Sequence, residues 1–392
     1  MPAPLEGIKV IDFTRFQNGP HATVMLSDMG AQVIKVERPG EGDPGRALGR
    51  GEDGFCAYFE ALDRGKKSIT VDFGSPEGAE IIRALVKDAD VLMENFRPGL
   101  LDSLGFGYEA MRELNPQLIY AVNSGFGPRG EWTNRGSFDI VSQGISGAMI
   151  GQAGGPGNDP VLISWGLADQ VGSMVFAYAV MTAIVARERH GVGQKVDTSQ
   201  MGAMATLQAL SVQRYLHQRS EPTTKYVNPT FSPYECSDGE WLTIGVLTPK
   251  HWPLLCMAIE RDDLITDERS ADPFARRDNS QWLQDELATS FKRGPRQKWI
   301  NGMVANDVPC GPVYSYAQMA AEEQFWTNGY LTKLDHPNFP DHQVVGIPFE
   351  LSETPGGIQG PAPELGQHTE ETLLELGYDW DKISSLRESG AI

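Results

Sequence analysis

The sequence predicts an α/β protein built on a parallel, doubly wound sheet, accompanied by a smaller α+β domain. Three observations carry the prediction. Apolar runs of strand length alternate with helical stretches from Gly7 to Gly127, the pattern of successive β-α-β units. Near residue 222 the chain changes to short strands, turns and amphipathic helices rich in Trp and Pro. Finally, 392 residues, 40% hydrophobic and 22% charged, are enough for two domains of the usual ~100–200 residues.

Taken in order, "GIKVIDFT" reads as a buried strand, "HATVMLSDMG" as a short helix stopped by Gly30, and "AQVIKVER" as a second strand. "KSITVDF" is a strand, "SPEGAEIIRALVKDA" a helix opened by Ser75 and Pro76, and "DVLMENF" a strand. "YEAMRELNP" gives another helix and "LIYAVNSGFG" another strand. "GQAGGPGNDP" is a flexible loop leading into the long apolar helix of "SWGLADQVGSMVFAYAVMTAIVARERHG". "GQKVDTSQMGAMATLQALSVQRYL" then predicts a strand and one long helix. The expected domains are 1–221, 222–330 and a C-terminal return over 331–392.

The long apolar helix poses the sharpest question. From Val171 to Ala186 it is almost wholly apolar or small, yet it opens with the carboxylate of Asp169. The plain reading is a helix cap, since an acid at an N-terminus accepts free N–H groups and suits the dipole. The apolar run falls short of the ~20 residues that span a bilayer, which predicts a buried core helix.

Composition narrows the partners. A net charge of −19 argues against a nucleic-acid groove or an anionic membrane. Residues 1–75 carry nine Lys or Arg against eleven Asp or Glu, so a bound anion is expected near the N-terminal part. Cys56, Cys236, Cys256 and Cys310 lack zinc or redox spacing, and no metal is expected. The start "MPAPLEGIKV" has no signal-peptide pattern, which points to the cytoplasm.

The first βα turn, "TRFQNGPHAT", lacks G-x-G-x-x-G, which disfavours an NAD-dependent dehydrogenase. Arg38 at the second strand end suits a phosphate, and Asn95, Phe96 and Arg97 follow an apolar strand at the carboxyl edge of the sheet. There is no G-x-S-x-G and no metal-spaced His pair; His21, His190 and His251 read as capping or surface residues.

The segments "LEGIKVIDFT", "MLSDMGAQVIKVERPGEGDPGR", "ENFRPGLLDSLGFGYEAMRELNPQLIY", "GLADQVGSM", "RERHGVGQKVD" and "LGQHTEETLLELGY" together resemble the class III CoA-transferases, the family of formyl-CoA and carnitine CoA-transferases. The resemblance runs over nearly the whole chain. It implies a Rossmann-like large domain made from both chain ends, a small domain between them, and two chains interlocked as a homodimer. It makes Asp169 the nucleophile, with coenzyme A arriving as part of the substrate and no tightly bound cofactor. Gln17, Asn18, Arg38, Asn95, Phe96 and Arg97 fall on the CoA-contacting positions. Helix N–H groups near Asp169 are then expected to stabilise the oxyanions. Phe16, Phe138 and Trp165 are candidates for the acyl pocket.

Departures from the family pattern also matter. "IGVLTPKHW" stands where formyl-CoA transferases carry a glycine-rich loop, and Ser103 where a basic residue is expected. The α-methylacyl-CoA racemases of the same superfamily pair the aspartate with a His in an "HDI"-like segment. Here that segment is "GSFDIVSQ", and Phe138 cannot shuttle a proton. Transfer of CoA to a carboxylic acid, between molecules or within one, is therefore the expected activity. A racemase and a non-catalytic CoA-binding subunit are the alternatives.

Overall fold

The computed structural model describes residues 2–221 and 228–392. They form two compact units: one made of Met1–Glu221 with Trp326–Ile392, the other of Pro222–Phe325. The return to the first unit thus starts at Trp326, earlier than the expected 331.

Six parallel strands form the sheet of the larger unit: β1 (Lys9–Asp12), β2 (Gln32–Glu37), β3 (Lys67–Thr70), β4 (Val91–Glu94), β5 (Ile119–Ser124) and β6 (Gln194–Ser199). Their order is β3-β2-β1-β4-β5-β6, the doubly wound Rossmann arrangement. Period-two alternation explains why both faces are covered. Val10, Val33, Val91 and Ile119 point into one core, with Phe176, Val180 and Ile184 of the Asp169 helix. Their neighbours Ile11, Ile34, Leu92 and Tyr120 point into the other, with Ile81, Ile82 and Leu85 of helix Pro76–Lys87. Leu373, Ile383 and Leu386 from the C-terminal helices complete that second core, so both chain ends build one layer system.

Helix Pro76–Lys87 begins as the sequence predicts, with Ser75 Oγ accepting from the Gly78 N–H and Pro at the first position. Three local expectations are corrected. "GQAGGPGNDP" is not all loop, because Gly151–Ala153 end a short helix, Ala148–Ala153, closed by left-handed Gly154. The long helix after β6 is two, Gln200–Leu207 and Ala209–Gln218, broken at Gln208, whose side-chain amide donates to Ser146 and Met204 carbonyls. The Asp169 helix runs Leu167–His190, 24 residues, long and apolar enough by composition to cross a bilayer, so length does not decide its place. Its buried stripe of Ala168, Gly172, Phe176, Ala177, Val180 and Ile184 packs on the sheet core, while Met174 and Tyr178 on its other face are exposed.

The smaller unit has an antiparallel sheet of β7 (Phe231–Glu235), β8 (Trp241–Gly245) and β9 (Cys310–Pro312). Helices His251–Ala258, Ser280–Phe291 and Arg296–Ala305 bury Leu255, Leu287, Phe291 and Trp299 against it. In the larger unit, β10 (Leu331–Lys333) pairs antiparallel with β11 (Gln343–Val345).

Candidate active site

The winding of the parallel sheet reverses between β1 and β4, so the chains leaving their carboxyl ends part and leave a crevice. A cavity of about 520 Å³ lies there. Phe16, Gln17 and Asn18 reach it from β1, Asn95, Phe96 and Arg97 from β4, and Asn123 from β5. Asp169, Phe138 and Gln200 close it.

The turn after β1 is held from two sides. Phe16 sits in the left-handed region, φ 64°, unusual for an aromatic residue. Its N–H donates to Asp43 Oδ1 at 3.1 Å. The neighbouring Arg15 N–H donates to Asn95 Oδ1, and Asn95 Nδ2 donates back to the Arg15 carbonyl, both at 2.9 Å. The Asn95 amide is therefore engaged in clamping the two loops together.

Beneath this turn lies a buried ion cluster. Lys35 Nζ is 2.7 Å from Asp43 and 3.2 Å from Asp63, and Lys66 Nζ is 2.6 Å from Asp63 and 3.2 Å from Asp12. Burial raises the Asp12 carboxyl, but Lys66 and Lys35 outweigh it and hold the group below its ordinary value. At Asp63, burial wins and the carboxyl is raised despite both lysines.

Asp169 is placed differently. It is the third residue of its helix, whose cap is Gly166 at φ 76°. Its Oδ1 accepts from the Gln200 side-chain amide. Gln200 opens the helix after β6, and its Oε1 accepts from Ser142 Oγ at 3.0 Å, which fixes which end of the amide faces Asp169. Two glycines make room for the partners. A Cβ on Gly166 would come 2.6 Å from the Gln17 amide nitrogen, and one on Gly172 2.4 Å from that of Asn18.

Two expectations fail at this helix. Asp169 does not cap it, and the N–H groups of Ala168 and Asp169 are not available to an oxyanion, because Asp139 Oδ1 takes both, at 2.7 and 3.2 Å. Asp139 is thus the capping acid, its other oxygen held by Gln143 Nε2 at 2.7 Å. Among the described residues no Lys or Arg nitrogen lies within 4.0 Å of either carboxylate. Burial raises Asp169 to about 6, the nearby Asp139 charge adds to the shift, and the Gln200 and Asn18 amides oppose it. Asn18 Nδ2 is buried and near enough to this carboxylate to lower it, yet meets no acceptor with full hydrogen-bond geometry.

Five of the six expected CoA contacts, Gln17, Asn18, Asn95, Phe96 and Arg97, line the Asp169 cavity. Arg38 lines an adjoining cavity of about 270 Å³ with Phe73, Phe96 and Leu104, its guanidinium 5.9 Å from the Phe73 ring centroid. Phe96 is a wall of both cavities. Phe16 and Phe138 meet edge to face at 5.8 Å within the cleft. Trp165 does not line it and offers only its carbonyl, 3.5 Å from Gln17 Nε2. Ser103 Oγ is spent on the Leu100 carbonyl at 2.7 Å.

Two of the three histidines need correction, while His190 is exposed in the last turn of its helix, as expected. His21 lies inside helix Asn18–Asp28, neither cap nor surface, and burial with the Arg64 and Lys66 charges lowers it to about 4. His251 is buried, its Nδ1 2.9 Å from Thr248 Oγ1.

Asp139, Gln200 and Asn123 were missed in the sequence. Gln200 follows a strand at the sheet's carboxyl edge, the signal that singled out Asn95. Asp139 opens a helix directly after Phe138. Gln200 carries no motif of its own, and Asp139 stands in the "GSFDIVSQ" segment, which was read only for the residue before it.

A carboxylate cleft at the switch point of a parallel sheet defines an α/β enzyme of the ligand-binding Rossmann-like class. The chain belongs to CoA-transferase family III, whose model matches residues 5–369. It is therefore a CoA-transferase, moving CoA from an acyl-CoA to a carboxylic acid. It is 34% identical over 390 residues to succinyl-CoA:mesaconate CoA-transferase of Haloarcula marismortui, covering 96% of this chain and 97% of that one. It is 32% identical over 397 residues to human succinyl-CoA:glutarate CoA-transferase, covering 99% and 90%. The solved structure of a CAIB/BAIF family protein from Brucella suis superposes with a TM-score of 0.85 at 32% identity, covering 96% and 100%.

Proposed function

We propose that this enzyme transfers CoA from a short dicarboxylic acyl-CoA, of the succinyl-CoA type, to a second carboxylic acid through a covalent intermediate on Asp169. The observation that carries this reading is a partly buried carboxylate in the switch-point cleft with no Lys or Arg nitrogen within 4.0 Å among the described residues. Such a group is raised to about 6, so at neutral pH it is largely ionised yet more basic than an ordinary carboxylate.

Asp169 attacks the thioester carbonyl, the C–S bond breaks, and a mixed acyl–aspartyl anhydride and CoA thiolate result. The thiolate attacks the aspartyl carbonyl, releasing the donor acid and leaving an aspartyl-CoA thioester. The acceptor carboxylate attacks that thioester, and the released thiolate takes the acceptor's acyl group, restoring Asp169. With the first helix N–H groups held by Asp139, the donors assigned to the developing oxyanions are Asn18 Nδ2 and the Gln17 amide. Arg15, Arg97 and Arg135 line the same cavity and suit a distal carboxylate and the CoA phosphates. No histidine lines it among the described residues, which argues against a racemase proton pair.

The working form in this reading is a homodimer with a second copy of the chain. Met174, Tyr178 and Val185 form an exposed apolar stripe on the Asp169 helix, and Leu210 on helix Ala209–Gln218 is 90% exposed. A freely diffusing acyl-CoA agrees with a cytoplasmic enzyme. The test is a chromatographic assay with succinyl-CoA and a panel of mesaconate, glutarate and oxalate. We expect a new thioester in step with free succinate. Hydrolysis without a new thioester, or deuterium entering the α-carbon from D₂O, contradicts the reading.

A further inference from the structure

We infer that the smaller unit carries a second ligand site, one that binds a small organic carboxylate around Arg276. Arg276, on helix Pro273–Asp278, is only 8% exposed. Its Nη1 donates to the Ser270 carbonyl at 2.6 Å, and its guanidinium carbon lies 4.8 Å from the ring centroid of buried Trp252. Among the described residues no carboxylate oxygen lies within 4.0 Å of it. The acid on its own helix end, Asp272, accepts from the Phe274 and Ala275 N–H groups with Oδ1, and its charge favours the Arg276 cation without forming an ion pair. Residues 222–227, outside the described set, contain neither Asp nor Glu. A nearly buried cation without a directly paired carboxylate is costly, and an anionic ligand relieves that cost.

Arg276 lines a cavity of about 270 Å³ within this unit, large enough for an acid of a few carbons. The cavity is built to hold more than a bare ion. Thr248 and Asn228 line it, and Asn228 Oδ1 is already engaged by Thr230, which leaves its NH₂ as the available donor. Leu247 and Phe274 supply apolar wall. A guanidinium fork matches a planar carboxylate, and the apolar wall suits a carbon skeleton rather than inorganic phosphate. The inference concerns binding alone and does not depend on the role of Asp169.

The test is calorimetric titration of the full chain with propionate and, separately, with inorganic phosphate, alongside crystals soaked in 3-bromopropionate. We expect saturable propionate binding and a bromine anomalous peak in the Arg276 cavity. Arg276→Gln should weaken propionate about tenfold or more, and Thr248→Val less. If Arg276→Gln fails to fold, Arg276→Lys decides, since it keeps the charge but loses the fork and should still weaken binding. Unchanged binding in Arg276→Gln or in that Lys variant, a bromine peak elsewhere, a peak with no binding in solution, or phosphate bound more tightly than propionate overturns the assignment.

Discussion

Two groups of carboxylates meet under the first turn of this protein, and they are treated in opposite ways. Asp12, Asp43 and Asp63 are buried with Lys35 and Lys66 among them, each charge within 3.2 Å of an opposite one. Among the described residues Asp139 and Asp169, across the turn, have no Lys or Arg nitrogen within 4.0 Å, only amides. The first group fixes the left-handed Phe16 backbone through Asp43. The second leaves one carboxylate, Asp139, fully engaged in capping and the other, Asp169, with a raised pKa and an open cavity before it. Compensated charge builds the floor of the site; uncompensated charge leaves a carboxylate with a raised pKa facing the cavity.

That contrast breaks most sharply at Asp169. Asp169→Asn should lower CoA-transfer turnover by about 10⁴-fold or more, measured against the panel of acids. The same change should make the protein more stable at pH 7. A folded-state pKa of about 6 against an ordinary value of 3.8 means the charge costs stability, absent at low pH and appearing as pH rises through about 6. The gain at neutral pH should be about 1–3 kcal/mol in urea unfolding, vanishing below pH 4. A loss of stability at pH 7 would place Asp169 with the compensated group.

Asp43→Ala should do the reverse. It leaves Lys35 with one carboxylate fewer and frees the Phe16 N–H, and should destabilise the fold by about 3–5 kcal/mol. Urea unfolding measures it directly.

Asp139→Asn is the finer probe. It should cost about 1 kcal/mol of helix capping while removing the charge that helps raise Asp169. The acid limb of the kcat profile, expected near pH 6 in the wild type, should therefore move down in pH. An unmoved limb would mean that burial alone sets the Asp169 pKa.

The strands were legible because alternation of apolar residues is a local signal: Val10 with Ile11, Val33 with Ile34 and Val91 with Leu92 already divide between two faces. The Asn95-Phe96-Arg97 turn stood out because it directly follows such a strand, whereas Gln17 and Asn18 came only from the family resemblance. The capping relation was not. Asp139 and Asp169 are thirty residues apart, and nothing in either local sequence says that one carboxylate will take the N–H groups that the other appears positioned to use. Gln200 was hidden for the same reason, since its contact with Asp169 exists only once β6 closes the sheet beside β5. The break at Gln208 was also invisible, because it depends on a side chain bonding the Ser146 carbonyl from another helix.

The measurement that bears most directly on Asp169 is peptide mass spectrometry after incubation with succinyl-CoA and trapping with hydroxylamine or borohydride. A modification confined to the peptide carrying Asp169, and absent from the Asp169→Asn protein, is the predicted result. An unmodified Asp169 in enzyme that is turning over, or a label on Asp139 instead, would contradict the assignment of the reacting carboxylate.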